Sequence, residues 1–388
     1  MPTPEKRVII LGAGFAGLTL ATELDPLAES GNLQITLVDR NPSFRMGFSM
    51  QWVLAGRRRP EDGERFYSKR KAGHIAFLQE EVRGIDISQK IVKTNSRNLE
   101  YDSLLLALGA ELVPDLIPGL SESAFNLCEL SSVLKLKDTL KKTKKGVILI
   151  TISSVPFKCP PAPYEYAFLV DDLIRQRGKR GSFRIAVTTP EHQPMPVAGK
   201  IVGEAIVSML TERGIEFFPN HKPKEVQSKK KKIVCENGVE LAFDLLAAMP
   251  LHRAPQFLHD SGLVDGSGFI PVDLYTFKTR FEGIYAVGDV ASLKLPNGNP
   301  HPKAGIFAEA QAHVLSRNLS AEITGGGQTP YQGDGICFVD TGRNQAAQVE
   351  AHLLTPEGPR VTLNPPSEEG LRGKGLFEEE RFTRWFGG

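Results

Sequence analysis

A glycine-rich turn near the N-terminus constrains the fold of this chain more than any other feature. Residues 7–11, RVIIL, form the short, mostly apolar run of a buried strand, and the pattern GxGxxG follows at residues 12–17 as GAGFAG. The first glycine permits a tight turn, the second lets the backbone approach a pyrophosphate, and the third allows close packing of helix and strand. The start of the next helix can then bind the phosphates. The motif predicts a dinucleotide-binding βαβ unit.

The segment after this helix supports the same interpretation. A second apolar strand, LQITLVD at residues 33–39, ends in Asp39. An acidic side chain about twenty residues past the glycines is placed to bind a ribose hydroxyl. The residues predicted to contact the dinucleotide in this unit are Gly12, Gly14, Phe15, Ala16, Gly17, Asp39 and Arg40.

Composition excludes several classes of protein. The chain has 388 residues, 41% of them hydrophobic, and 47 Lys and Arg against 45 Asp and Glu. This mixed charge argues against an extended nucleic-acid surface, and no apolar stretch is long enough to cross a bilayer. The N-terminus, MPTPEKRVIIL, enters a strand without an export signal. We therefore expect a cytoplasmic protein of two or three domains whose membrane contact, if any, is peripheral.

The spacing of the four cysteines limits the chemistry open to them. No two form a CxxC pair and none belongs to a CxxCH haem motif, so no metal site is expected. Structural disulfides are unexpected in a reducing compartment, and an oxidised pair here would indicate catalysis. The cysteines are Cys128, Cys159, Cys235 and Cys337.

Two later segments indicate which dinucleotide is bound. They are YDSLLLALGAEL at residues 101–112 and FEGIYAVGDVA at residues 281–291. With the first motif, they resemble the three segments of the FAD domain in the two-dinucleotide-binding flavoprotein superfamily, which includes the disulfide reductases. The resemblance implies FAD, bound in part by Gly109 and Gly288, with Asp289 on its ribityl and phosphate part.

A second α/β unit lies between these segments, with strands predicted in KKGVILITI and SFRIAVTT and a hairpin at residues 231–243. In the superfamily this insert is the NAD(P)H domain. Here the turn after its first strand has no glycine, and residues 155–163, VPFKCPPAP, carry four prolines that remove N–H donors. We therefore expect that this second site has lost its nicotinamide dinucleotide.

The fold is predicted to be α/β, with two Rossmann-like domains of the FAD/NAD(P)-binding type and a small C-terminal α+β region. The predicted boundaries are residues 1–112 and 268–320 for the FAD-binding domain, 113–267 for the second domain and 321–388 for the C-terminal region.

The proline-rich turn also carries a more specific resemblance. Residues 159–165, CPPAPYE, are similar to the sulfide:quinone oxidoreductases and to the flavoprotein subunit of flavocytochrome c sulfide dehydrogenase. The resemblance continues through HPKAG at 301–305, a predicted helix in FAEAQAHVLSRNL, and GICF at 335–338. It implies a redox-active pair, Cys159 and Cys337, whose disulfide accepts a sulfide nucleophile and whose released thiolate reduces the flavin. Inert buried thiols are the alternative. A helix predicted to begin just after Cys159 should lower the pKa of its thiol.

The same family implies further catalytic roles. Glu165 matches an acid that carries protons near the site, and a solvated helix residue is the alternative. Lys303 matches a lysine near the flavin pyrimidine and the quinone, where its charge would stabilise anionic reduced flavin. Cys128 matches a third cysteine of some relatives, and its role stays open; Cys235 is expected to be structural. Relatives with covalent FAD use a cysteine in an early segment that reads NPSFRMGFSM here, so noncovalent FAD is predicted.

The C-terminus is the candidate for contact with a membrane quinone pool. Phe382, Trp385 and Phe386 would share one face of a short helix with arginines beside it, a pattern suited to a membrane interface. Packing of this face on its own domain or on a second copy in a homo-oligomer is the alternative. Arg57, Arg58 and Arg59, continued by residues 69–71, form a basic cluster that could face anionic lipid, or a solvated loop.

The sequence thus predicts an FAD-dependent oxidoreductase that oxidises sulfide or a persulfide to sulfane sulfur and reduces quinone. A cytochrome acceptor is one alternative. A type-II NADH:quinone dehydrogenase is a second, and a flavin-bearing persulfide sensor without turnover is a third.

Overall fold

The computed structural model describes residues 6–70 and 73–387, so Lys71 of the basic cluster lies outside the described residues. The strands in chain order are β1 Lys6–Leu11, β2 Leu33–Asp39, β3 Ser43–Arg45, β4 Glu64–Phe66, β5 Ala76–Gln79, β6 Val82–Asp86, β7 Ile91–Thr94, β8 Asn98–Glu100, β9 Ser103–Leu106, β10 Glu111–Leu112, β11 Ala124–Asn126, β12 Gly146–Ile152, β13 Phe183–Thr188, β14 Ile215–Phe218, β15 Pro223–Gln227, β16 Lys232–Cys235, β17 Glu240–Ala242, β18 Leu245–Met249, β19 His252–Arg253, β20 Ile270–Pro271, β21 Ile284–Ala286, β22 Ala291–Ser292, β23 Asp334–Gly342, β24 Gln345–His352 and β25 Arg360–Leu363. The helices are α1 Phe15–Glu29, α2 Ser49–Leu54, α3 Leu120–Ser123, α4 Leu130–Lys142, α5 Ala162–Gln176, α6 Lys200–Glu212, α7 Gln256–His259, α8 Gly305–Thr324 and α9 Glu368–Phe386.

Two five-stranded parallel sheets form the centre of the molecule. The first has the order β21-β9-β1-β2-β5 and the second the order β11-β18-β12-β13-β14. The strands are apolar on both faces because both faces are covered. One face of the second sheet packs against β15, β16 and β17 through Val226, Ile233 and Cys235. The two orders are equivalent, with β12 and β13 in the places of β1 and β2. The prediction of two Rossmann-like domains is confirmed, and the predicted hairpin is present as β16 and β17.

The first sheet is assembled from distant parts of the chain. Four of its strands come from the first 106 residues, whereas β21 at residues 284–286 returns after the second domain. The chain leaves the first domain after β10 and returns to it after β19, and these two short strands pair antiparallel at the crossing. The carboxyl ends of β1 and β9 and the start of α8 therefore meet at one edge, where a ligand is expected in folds of this class.

The C-terminal region is an antiparallel sheet of β23, β24 and β25 followed by α9. Helix α9 returns to the first domain, where Trp385 packs edge to face against Phe15 and Phe44. Phe382, Trp385 and Phe386 are each less than 7% exposed. The interpretation that these three aromatic residues face a membrane is therefore wrong, and the alternative of packing on their own domain is correct. Their burial stabilises the fold because each aromatic side chain removes a large apolar area from water.

The arginines of the basic cluster form ion pairs within the protein. Arg57 donates to Asp340 at 2.7 Å and Arg58 to Glu378 at 2.7 Å, so both arginines attach the α2 region to the C-terminal region. Arg59 pairs with Asp62 at 2.8 Å. Arg57 and Arg58 are therefore not a free lipid-binding surface, whereas the Arg59 side chain is 74% exposed. None of the helices within residues 6–70 and 73–387 combines the length and apolar character needed to cross a bilayer.

Candidate functional site

A cavity of about 490 Å³ runs along the edge where the two sheets and the C-terminal region meet. One end is formed by the glycine-rich turn between β1 and α1 and by Asp39 at the tip of β2. The other end contains three cysteines, Cys128, Cys159 and Cys337. Lys374 and Phe377 of α9 also line it, so the C-terminal helix forms part of its wall.

The glycines show that the first end fits a dinucleotide. A Cβ at Gly12 would lie 2.4 Å from the carbonyl oxygen of Ala107, and one at Gly17 would lie 1.7 Å from the carbonyl oxygen of Gly12. Both positions therefore require glycine for protein packing alone. A Cβ at Gly14 would meet no protein atom within 4 Å, and Gly14 lines the cavity. The free space beside Gly14 fits the pyrophosphate for which the second glycine of the motif is needed.

Most residues predicted to bind the cofactor lie on the cavity wall. They are Gly12, Gly14, Phe15, Ala16, Asp39, Gly109, Gly288 and Asp289. Gly17 packs beneath the turn, and the Arg40 side chain lies 3.8 Å from Glu111 and does not line the cavity. One Asp39 oxygen accepts a hydrogen bond from the Ala13 amide at 2.7 Å, which fixes the glycine-rich turn to the tip of β2. The contact of Arg40 with the cofactor remains a prediction without support from this arrangement.

Cys159 is held by its backbone at the start of α5. Its amide donates to the carbonyl oxygen of Lys303 at 2.7 Å, and its φ of 57° is in the left-handed region. Cys337 lies on β23, and Cys128 follows β11 with its sulfur 3.9 Å from that of Met249. All four cysteines of the chain are free thiols in this structure. The fold therefore brings Cys159, Cys337 and Cys128 to one cavity without forming a disulfide.

Burial dominates the acidity of these thiols. Burial and, to a smaller extent, the Glu165 carboxylate raise the pKa of Cys337 to about 12, while Lys374 acts to lower it. The pKa of Cys159 is raised by the same causes in the same order. The expectation that the start of α5 lowers the pKa of the Cys159 thiol is therefore wrong, because the loss of hydration outweighs the helix terminus. Reduced thiols in this site hold their protons at neutral pH.

Glu165 lies at the centre of a buried polar cluster and is only 1% exposed. Its carboxylate forms an ion pair with Lys374, and it accepts hydrogen bonds from the Gln51 side chain and the Asp340 amide, both at 2.7 Å. Lys374 also donates to Gln51 at 3.0 Å. Glu165 is thus not the solvated helix residue that was its alternative. Sequence reasoning missed Lys374 and Gln51, because neither belongs to a local motif and α9 reaches the site only through tertiary packing.

Lys303 is placed differently from the expectation. Its ammonium group donates to the carbonyl oxygens of Asp289 at 2.7 Å and Ala291 at 2.9 Å, and it lies 3.7 Å from the centre of the Phe269 ring. Burial lowers its pKa to about 8, and Asp289 raises it. Lys303 does not line the cofactor cavity, whereas Lys158, which the sequence did not single out, does. The adjacency of Lys158 to Cys159 was the signal that could have found it.

A smaller cavity of about 90 Å³ adjoins the site on another side. Its walls are mainly apolar, with prolines of the 155–163 turn and of the 300–302 segment. Cys337 lines both cavities, whereas Cys159 lines only the larger one. Glu191 also lines the smaller cavity, and burial raises the pKa of its carboxyl to about 7. Cys337 thus stands between the cofactor cavity and a second, apolar space.

Comparison with known proteins agrees with this geometry. A family model described as pyridine nucleotide-disulphide oxidoreductase matches residues 6–150 and 174–313, more than half of the chain. The mitochondrial sulfide:quinone oxidoreductase of Mus musculus is 26% identical over 364 residues, which cover 89% of this chain and 77% of that protein. The type II NADH:quinone oxidoreductase of Staphylococcus haemolyticus is 25% identical over 363 residues, covering 88% of this chain and 87% of that protein.

A solved structure is similar over almost the whole fold. The X-ray structure of the sulfide:quinone oxidoreductase from Aquifex aeolicus superposes with a TM-score of 0.87 at 22% identity, covering 98% of this chain and 92% of that one. The resemblance predicted from the CPPAPYE segment is confirmed by these relatives, as are FAD as the cofactor and an oxidoreductase as the class of enzyme. This chain belongs to the pyridine nucleotide-disulphide oxidoreductase family and is an FAD-binding oxidoreductase related to the sulfide:quinone oxidoreductases.

Proposed function

We propose that this enzyme oxidises sulfide, or a low-molecular persulfide, to sulfane sulfur and passes the electrons through FAD to quinone. One observation carries the proposal: Cys159 and Cys337, from separate parts of the chain, line the same cavity as the FAD-binding turn. Named relatives act on sulfide and quinone, which supports the same reaction. FAD would be held without a covalent bond by the glycine-rich turn, Asp39 and Asp289.

The sulfur chemistry follows from thiol–disulfide exchange. In the oxidised enzyme, hydrosulfide attacks the disulfide between Cys159 and Cys337; one cysteine becomes a persulfide and the other leaves as a thiolate. A second hydrosulfide then takes the sulfane sulfur as disulfane, and a second thiolate remains. The two thiolates re-form the disulfide and release two electrons. FAD supplies a two-electron acceptor that quinone can re-oxidise.

The surrounding residues control protons at the sulfur atoms. The raised pKa of both thiols favours their protonated forms, so a reduced pair must lose protons before it can release electrons. Glu165 and Lys374 act on both thiols with opposite signs, and we propose that this ion pair exchanges those protons. Lys374 thereby controls the charge at the sulfur atoms.

The two cavities suit two different substrates. The smaller cavity reaches Cys337 through apolar walls, which suit neutral hydrogen sulfide and sulfane sulfur. The larger cavity is lined at one side by Ile306, Phe338 and Phe377, apolar side chains that suit a quinone ring. On the same strand and helix, Ile336 is 41% and Leu376 is 49% exposed. We propose that quinone approaches along this exposed apolar edge, and that any membrane contact lies here.

An anaerobic titration followed by visible absorbance tests the proposal. We expect sulfide to bleach the FAD of the wild-type protein and a soluble quinone to restore it, with NADH having no effect. Cys159→Ser and Cys337→Ser should slow the bleaching by sulfide about a hundredfold or more, the scale of losing a nucleophile. Cys235→Ser is the matched control, because Cys235 is buried in a separate apolar cluster with Ile233 and Val226.

Other outcomes would support the alternatives. Bleaching by NADH alone would favour an NADH:quinone dehydrogenase, which the similarity to type II enzymes keeps as a second candidate. Re-oxidation by a cytochrome and not by quinone would identify a cytochrome as the electron acceptor. Reduction by sulfide without steady-state quinone turnover would indicate a sensor. Undiminished bleaching in both serine variants would remove the cysteine pair from the mechanism.

A further inference from the structure

Lys158 occupies a place in the site that the proposed sulfur chemistry does not use. It lies between Phe157 and Cys159, and its backbone forms a parallel bridge with Lys303. The hydrogen bond from the Cys159 amide to the carbonyl oxygen of Lys303 fixes the same point of the chain. The half-buried Lys158 side chain lines the cofactor cavity. Its position is thus set by the backbone on the cysteine side of the cavity.

Three lysines lie near this end of the cavity, and they differ in their partners. Lys374 forms its ion pair with Glu165, and Lys303 donates to the backbone carbonyl oxygens of Asp289 and Ala291. Within residues 6–70 and 73–387, Lys158 has neither an ion-pair partner nor a side-chain hydrogen bond. A charged group that is half-buried and unpaired is costly unless a ligand balances it. Lys158 is therefore available to an anion in the cavity.

The two ends of the cavity differ, and this difference indicates which part of FAD would lie beside Lys158. The glycine-rich turn and Asp39 at the opposite end fit the pyrophosphate and the ribose. The reactive ring system would then extend toward the cysteines with which it exchanges electrons. Burial raises the pKa of the Asp289 carboxyl, and the charges of Lys303 and then Lys158 oppose that rise. Burial also raises the pKa of the Cys128 thiol, and there Lys158 is the lysine that opposes it. Asp289 and Cys128 both line the cavity.

We propose that Lys158 is the cation that stabilises the reduced cofactor and so raises the reduction potential of the bound FAD. Reduction adds two electrons and one proton to neutral FAD and leaves one negative charge on the ring system of FADH⁻. A fixed ammonium group in a partly dehydrated cavity favours that anion over the neutral oxidised ring. The start of α8, whose first residues also line the cavity, adds a smaller contribution of the same sign. This inference goes beyond the proposed function, because it requires FAD but no sulfur substrate.

The test is the reduction potential of the bound FAD, measured by equilibration with reference dyes in the absence of sulfide. In Lys158→Gln we expect a more negative potential, with the ratio of reduced to oxidised FAD at a fixed ambient potential falling about tenfold, the scale of one charge interaction. Lys158→Arg keeps the charge and should stay close to wild type. Lys303→Gln is the matched variant for the lysine that sequence analysis favoured.

The affinities for the two forms of FAD provide a second readout. The shift in potential is proportional to the logarithm of the ratio between the changes in affinity for reduced and oxidised FAD, so Lys158→Gln should weaken binding of the reduced form selectively. Equal weakening of both forms, or an unchanged potential in Lys158→Gln, would overturn the proposal. A shift in Lys303→Gln without one in Lys158→Gln would assign the charge to Lys303. A failure of sulfide to reduce the enzyme would leave this result unaffected, so the two proposals fail separately.

Discussion

The two parallel sheets present the same turn in two different forms. Only residues 12–14 connect β1 to α1, and two of them are glycines. This turn leaves space for a ligand beside Gly14. Between β12 and α5, at the equivalent place in the second sheet, the turn spans residues 153–161 and contains three prolines. The first turn leads directly into α1, whose first amides can face a phosphate. The second turn contains no glycine, and its three prolines have no amide hydrogen to donate.

Two amides of the second turn are already used by the protein. The Ser153 amide donates to the carbonyl oxygen of Met249, and that of Cys159 to the carbonyl oxygen of Lys303. Pro163 has no amide hydrogen in the first turn of α5. The comparison teaches that one βαβ framework can hold either a phosphate or a thiol at the start of its helix. The residues of the turn decide between them.

The largest effect is expected from closing the space at Gly14. Gly14→Val adds a Cβ that meets no protein atom within 4 Å, and its side chain fills the space beside the cofactor. The steric clash and the lost phosphate contacts should cost about 4 kcal/mol, or about a thousandfold in FAD affinity. The measurements are the FAD content after gel filtration and the dissociation constant. Gly327→Ala, in an exposed loop, is the control. A Gly14→Val protein that retained full FAD would show that the space beside Gly14 does not distinguish the first turn as a phosphate site.

The next effect concerns the ion pair that joins α5 to α9. Replacing either member of a buried pair leaves the other charge unpaired, so Glu165→Gln and Lys374→Met should each lower the free energy of unfolding by about 3 kcal/mol. Chemical denaturation would measure this loss. The double variant Glu165→Gln with Lys374→Met should recover part of it, because no unpaired charge remains.

An exposed ion pair on α6 gives the control for this prediction. Lys200 and Glu204 are 81% and 65% exposed, and Glu204→Gln should change the free energy of unfolding by no more than about 0.5 kcal/mol. If Glu165→Gln lowered the free energy of unfolding by as little as Glu204→Gln does, the Glu165 carboxylate would not be the group that fixes the second turn to the C-terminal region.

Local motifs made much of this fold and site predictable. A few neighbouring residues are enough to explain each of three features: the glycine-rich turn, the strand ending in Asp39, and the segments ending in Gly109 and Asp289. The same holds for the absence of glycine in the 155–163 turn. Long-range packing was not predictable in this way. No local pattern shows that Lys374 reaches Glu165, or that Trp385 packs against Phe15 and not against a membrane.

Two expectations assigned a property to one residue without its surroundings. Lys303 belongs to the expected motif, and its ammonium group donates to two carbonyl oxygens from another part of the chain, so its contact with the flavin stays a prediction. The start of α5 does follow Cys159, but dehydration raises the pKa of the thiol. Both environments are formed by the tertiary structure.

Glu191 offers a smaller effect that sharpens the comparison. Asp39 ends β2, whereas the acid after β13 comes three residues past the strand and lies in the smaller cavity. Burial raises the pKa of Glu191 from 4.5 to about 7, so the native state holds its proton more tightly than the unfolded chain does. This contribution to stability is complete below about pH 4.5 and is lost as the pH rises through about 7.

The variant Glu191→Gln keeps a neutral side chain at every pH. Above pH 7 its free energy of unfolding should exceed that of wild type by about 1–2 kcal/mol after allowance for partial exposure, and the difference should vanish near pH 4. Thermal unfolding across this pH range measures it. A pH-independent difference would mean that Glu191 titrates normally, and that the smaller cavity is open to water.

The smallest expected effect is the response of the second domain to NADH. If the 153–161 turn cannot bind a pyrophosphate, the dissociation constant should exceed about 10 mM, and 1 mM NADH would then stabilise the protein by only about 0.06 kcal/mol, below detection in a thermal shift. FAD added to the same protein stripped of cofactor should raise the unfolding temperature by several degrees and serves as the positive control. A clear shift with NADH would mean that the second turn binds a dinucleotide despite its prolines. The two turns would then differ in the residues that contact the phosphates and no longer in function, because both sheets would hold a nucleotide at the same edge.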